Sequence, residues 1–71
     1  MNGIEQAIKA AGSLTALAKT IGTSAEFVHA ARAKGFLPPA RALIVAREYG
    51  IDIALLVKSD VAQVVEHARS N

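Results

Sequence analysis

The chain of 71 residues contains no cysteine. Disulfide staples, thiolate metal sites and thiol chemistry are therefore excluded. Its two histidines, His29 and His67, are too few for an imidazole metal cage, so neither a metal nor a cofactor is expected. Its three aromatic residues, Phe27, Phe36 and Tyr49, do not make a base-stacking platform for single-stranded nucleic acid. The longest apolar runs, 42–46 and 53–57, have five residues each, whereas a membrane-spanning helix needs roughly 20. The opening Met-Asn-Gly-Ile-Glu-Gln lacks the basic stretch of a secretory signal. A soluble cytoplasmic protein is expected. No serine, histidine and acid fall in an arrangement that sets a nucleophile beside a base and an oxyanion donor, and no glycine-rich phosphate loop occurs. An enzyme is not expected.

What is present is apolar and helical in character. Hydrophobic residues make up 52% of the chain, and alanine alone accounts for 15 positions. At this length there is one domain. Below about 70–80 residues a single core rarely supplies more than ~3–5 kcal/mol, so close helix packing and self-association are the remaining supports. The net charge is +2, unevenly spread. Residues 1–18 balance. Residues 19–47 carry Lys19, Arg32, Lys34, Arg41 and Arg47 against Glu26, and residues 48–71 carry four acids against Lys58 and Arg69. A basic middle suits a polyanion, and an acidic end suits a separate protein-facing surface. A solvated surface with chance clustering is the plainer alternative.

Cap and stop residues divide the chain into short helices. Asn2 caps a first helix with Ile4, Ala7, Ile8 and Ala11 on one face and Gly12 as its stop. Ser13 caps a second, with Leu14, Leu17, Ala18 and Ile21 inward and Gly22 at its end. Thr23 and Glu26 have capping-box spacing for a third helix, which turns Val28 and Ala31 inward and stops at Gly35. Phe36-Leu37-Pro38-Pro39 is an extended link, and a fourth helix starts near Pro39. Its stripe is Ala42, Leu43, Val45, Ala46 and Tyr49, and Gly50 ends it. Residues 51–57 alternate as a strand would, but Asp52 as a cap makes a short helix the preferred reading. Ser59 caps a last helix bearing Val61, Val64, Val65 and Ala68 on one face.

The stretch 14–33 carries the most information. Two short helices meet at Gly22, which tolerates positive φ, and Ala18, four residues earlier, lets them cross closely. At Gly12-Ser13-Leu14-Thr15-Ala16-Leu17-Ala18-Lys19-Thr20-Ile21-Gly22-Thr23-Ser24, then Val28, Lys34-Gly35 and Pro38-Pro39, the chain resembles Cro-type and lambda-repressor-like phage regulators and related small antitoxin repressors. The resemblance covers roughly residues 3–57. Thr23, Ala31 and Leu14 depart from it, standing where relatives more often carry a bulky aliphatic, a Trp or Ile, and a polar residue.

The resemblance implies an all-α, lambda-repressor-like bundle of about five short helices, with the helix-turn-helix at residues 13–34. Residues 1–57 would form the DNA-binding part; beyond the resemblance, the apolar stripe of the last helix and the small core make residues 58–71 the expected dimerisation helix of the same domain. The resemblance implies a transcriptional regulator of phage or prophage type that binds double-stranded DNA in the major groove as a homodimer. The matching reading positions are Ser24, Ala25, Glu26, His29 and Ala30, with Arg32 and Lys34 beyond them. Lys19, Lys34 and Arg41, and the amides near Ser13 and Thr15, would meet phosphates. The reading chemistry is modest: alanine can touch a thymine methyl, and Glu26 can accept from a cytosine amino group. Glu26 can equally be a capping partner alone, and Arg32 and Lys34 can simply complement the helix C-terminus. Val61, Val64, Val65 and Ala68 form either a packing face or a dimer seam, the seam being preferred. The competing functional reading is a protein–protein module on the same scaffold: an antirepressor, an adaptor or an antitoxin.

Overall fold

A computed structural model describes residues 2–70; residues 1 and 71, at the outer ends of the two predicted segments, lie outside it. The described residues form five α-helices and one 3-10 turn, with no strand: α1 Gly3–Ala11, α2 Leu14–Thr20, α3 Ala25–Lys34, α4 Pro39–Tyr49, the 3-10 turn Ile53–Leu55, and α5 Ser59–Ser70. The expected all-α bundle is what the chain adopts.

Local chemistry accounts for most helix ends. The Asn2 side chain accepts the Glu5 amide at 2.9 Å, and the Ser13 hydroxyl accepts the Ala16 amide at 3.0 Å. Each satisfies a donor that the first helical turn leaves without a partner. Pro39 opens α4, where its missing N–H costs nothing. Asp52 accepts the Ala54 amide at 3.0 Å and starts a single 3-10 turn. That resolves residues 51–57 in favour of the helical reading.

Three expectations need correction. The cap of α3 is Ser24, whose hydroxyl accepts the Phe27 amide at 3.3 Å, so the expected box of Thr23 with Glu26 is displaced by one residue. Glu26 thereby becomes an exposed first-turn acid without a capping role. Ser59 is the first residue of α5 rather than its cap, because the Ala62 amide reaches back to the Lys58 carbonyl at 2.8 Å. Leu43 is 42% exposed, since the inward side of α4 is set by Ala42 and Val45 and narrowed by Ala46 and Tyr49.

The core gathers Ile4 and Ala7 of α1, Leu17 and Ala18 of α2, Val28 and Ala31 of α3, and Ala42 and Val45 of α4, together with Ile21, Leu37, Leu56 and Val57 from the connecting segments. No polar side chain is buried among the described residues. Apolar packing therefore fills the interior unaided by buried polar side chains, and much of it is alanine, which brings backbones close. Leu56 closes the bottom of the core. Its side chain is fully buried, and its carbonyl accepts the Leu37 amide at 2.7 Å, which fixes the extended link before α4.

The 3-10 turn sits directly on the start of α1. A Cβ on Gly3 would lie 2.6 Å from the Leu55 carbonyl oxygen and 2.8 Å from the Leu56 Cδ2. Gly3 is thus required by a close backbone approach, and no local pattern announces it. α5 has one substantial neighbour, the 3-10 turn. Val61 and Ala62 pack against the core, whereas Val64 is 68% exposed and Ala68 is exposed. The valine stripe is therefore split: one flank packs within the chain and the other is bare. Arg69 fastens the far end, with its Nη2 donating to Asp52 Oδ1 at 2.7 Å and its Nη1 to Glu66 Oε1 at 2.9 Å.

Two outcomes follow. Gly3→Ala should destabilise the chain by about 1–3 kcal/mol, as overpacking against immobile backbone does, although alanine is the better helix former. Urea unfolding measures it; a neutral or stabilising result would mean that the 3-10 turn does not sit on α1. The second outcome concerns acid. The Arg69 side chain, and next the Ala54 amide, hold the Asp52 carboxyl below its ordinary value of 3.8. A depressed carboxyl contributes its stability above that value and loses it as pH falls through the folded-state value. Lowering the pH from 5 to below 3.8 should therefore loosen α5 first, seen as lower amide protection factors in residues 59–69 once the intrinsic pH dependence of exchange is divided out. Arg69→Gln should show the same loosening already at pH 5.

Candidate nucleic-acid interface

The α2–turn–α3 unit is fixed at its crossing. Ala18 is 3% exposed, Leu17 and Val28 are fully buried and Ile21 is 1% exposed. The Ile21 amide continues the α2 pattern onto the Leu17 carbonyl at 3.1 Å, and the Thr23 amide closes the turn on the Ala18 carbonyl at 2.9 Å. Between them Gly22 takes φ 68°, the left-handed region that glycine enters without strain.

Two clamps from α4 hold this unit to the body. Arg41, half-buried, donates from Nη1 to the Ile21 carbonyl and lies over the Phe27 ring, 5.9 Å from its centroid. Tyr49 and Thr20 share a hydroxyl–hydroxyl bond of 2.8 Å, and Thr20 also donates to the Ala16 carbonyl at 3.1 Å. The Thr20 proton is thus used within α2, and Tyr49 donates across to it.

The helical period sets which residues of α3 face away from the core. Val28 and Ala31 point inward. Glu26, His29, Ala30 and Ala33 occupy the opposite, exposed face. Glu26, His29 and Ala30 were expected there. Ala33 was not singled out, although its spacing from Glu26 and His29 would have placed it. Ser24 is exposed at the helix start with its hydroxyl engaged as cap, and Ala25 is half-buried. Thr15 and Lys19 are exposed on α2.

The cations expected at the interface, Lys19, Lys34 and Arg41 at phosphates and Arg32 at the far end of the reading helix, divide into two groups. Arg32 is paired across to α1: its Nε lies 2.5 Å from Glu5 Oε1 and its Nη2 3.3 Å from Glu5 Oε2. Arg41 is occupied by the turn carbonyl and Phe27. Lys19 and Lys34 are exposed, and among the described residues neither has a carboxylate partner. The structure therefore leaves the small outer face of α3 and two unpaired lysines exposed, and assigns the two arginines to holding the frame. A shallow apolar groove of about 150 Å³ runs beside α3, lined by Phe27, Ala30, Ala31, Lys34, Phe36 and Pro38. No described group of three or more histidine or acidic side chains could hold a metal ion, and no described helix is long and apolar enough to cross a membrane.

No protein-family model, curated protein or solved structure matches the chain.

If Arg32 serves the frame, Glu5→Gln and Arg32→Gln should each cost a small amount of stability, and together no more than either alone. Exposed pairs contribute about 0–1 kcal/mol, and these side chains are 48% and 35% exposed. A double-mutant cycle in urea reads the coupling. Strictly additive effects would free Arg32 from this assignment.

Proposed function

We propose that the chain is a sequence-specific DNA-binding transcriptional regulator of phage- or prophage-repressor type, acting in the cytoplasm as a homodimer with α3 in the major groove. The observation that carries this reading is the α2–turn–α3 unit itself. It is clamped at Ile21 and Thr20 from behind, while Glu26, His29, Ala30 and Ala33 stand free in front. Its resemblance to Cro-type and lambda-repressor-like regulators supports the same docking. The alanines give α3 a low profile that suits close approach to base edges, and Glu26, relieved of capping, is available to accept from a cytosine amino group. Lys19 and Lys34 supply point charges for phosphate. The bare flank of α5, Val64 and Ala68, together with Leu55 at 47% exposure, is apolar surface that a second copy would cover. In a two-fold dimer the α3 helices would lie about one DNA turn apart, roughly 34 Å.

One observation favours the second reading, a protein–protein module on the same scaffold. The Phe27–Phe36 groove is apolar and lies next to the face assigned to DNA.

Selection of bound duplexes from random DNA at two salt concentrations separates the two. The regulator reading predicts enriched palindromes, stronger retention at low salt, and a salt slope that falls by about 1 when Lys19 or Lys34 is changed to Gln. Glu26→Gln should move the preference at one base pair towards adenine by about 1–3 kcal/mol, with a loss of stability no greater than the ~0.3–1 kcal/mol of a first-turn acid. Recovery of no preferred sequence at either salt would reject the regulator in favour of the protein–protein module.

A further inference from the structure

We propose that the open cleft between the end of α3 and the start of α5 is a phosphodiester site, in which Lys34 and Lys58 hold a DNA backbone phosphate. The proposal rests on the DNA-binding reading and extends it to a part of the chain that the charge distribution had assigned away from DNA. The acidic balance of residues 48–71 hides the position of one cation. Lys58 precedes α5, and the fold carries it back to the end of α3, so that it lines one cleft of about 490 Å³ with Lys34, Gly35, Phe36 and Ser59.

The electrostatics of this cleft favour an anion. Two lysines face a single carboxylate, Asp60, whose Oδ1 accepts the Val61 amide at 2.9 Å and is thereby turned back onto its own helix. Neither Lys34 nor Lys58 has an ion-pair partner among the described residues, in contrast to Arg32 and Arg69. Lys58 is also held in place: its Nζ lies 5.2 Å from the centroid of the Phe36 ring. The ring attracts the ammonium and leaves its charge intact, so the group stays at the cleft while all three N–H donors remain able to reach oxygen. Two compact ammonium groups lining one cleft can each bind phosphate as a point charge. The cleft is open to solvent and begins at the last residue of α3, so a strand followed by α3 would pass its mouth. That continuity favours a phosphate within a polymer over a free one.

The test uses the full chain and a fluorescent duplex of about 20 base pairs, titrated across a series of salt concentrations. Lys58→Met keeps the apolar stem on Phe36 and removes the charge; Lys58→Arg keeps the charge. If a phosphate sits in the cleft, Lys58→Met lowers the slope of log affinity against log salt by about 1 and weakens all sequences alike, and Lys58→Arg restores the slope. Unchanged unfolding midpoints for both variants attribute the change to charge. An unchanged slope in Lys58→Met, with tight duplex binding retained, overturns the cleft and leaves the DNA reading standing. A slope lowered equally by Lys58→Arg also overturns it. Failure of the unsubstituted chain to bind duplex at the lowest salt removes both. Saturable binding of inorganic phosphate that depends on Lys58, with a duplex slope that does not, assigns the cleft to a small anion and overturns its place on DNA.

Discussion

The structure depends on how closely the segment 53–57 can approach the rest of the chain. Leu56 is fully buried, its carbonyl holds the Leu37 amide, and the Leu55 carbonyl presses on Gly3. Three pieces distant in sequence meet there: the start of α1, the link before α4 and the 3-10 turn. The contact sets where α4 lies, and α4 in turn supplies Arg41 and Tyr49 to the back of the α2–α3 pair. The geometry of the candidate interface is thus traceable to a backbone approach that lies outside the α2–α3 pair.

The division of charged side chains follows from the same frame. With no buried polar group to position the helices, longer-range fastening is done at the surface by guanidinium groups. Arg32 joins α3 to α1, Arg41 joins α4 to the turn, and Arg69 joins α5 to Asp52. Each is a planar, multidonor group matched to carboxylate or carbonyl oxygen. The lysines, flexible and compact, are left at the surface. These three arginines build and the lysines remain available, a separation that a count of positive charge cannot reveal.

Much of the fold was legible in the sequence because its punctuation is local. Asn2, Ser13, Pro39, Asp52 and the stops at Gly12, Gly22, Gly35 and Gly50 each act within a few residues of their own position. The inward positions Leu17, Ala18, Val28, Ala31 and Val45 follow from helical period alone. Where two adjacent residues can both cap, as Thr23 and Ser24 can, spacing to Glu26 pointed to the wrong one; Thr23 is drawn into the preceding turn by its amide bond to the Ala18 carbonyl, and Ser24 caps. Gly3 could not be read, because its constraint comes from residues 55 and 56. The same holds for the candidate site. The outer face of α3 followed from its period, whereas the engagement of Arg32 and Arg41 and the return of Lys58 to Lys34 are tertiary facts.

The single substantial contact of α5 makes the stability of the chain graded. An element held by one apolar flank and one arginine can detach without exposing Ile4, Leu17 or Val28, so its opening costs less than global unfolding. The first five elements would then persist as a folded unit while the last helix is released. Covering the bare flank of α5 would raise the protection of the whole C-terminal segment, so that occupancy of that face is reported by backbone amides far from the α2–α3 pair.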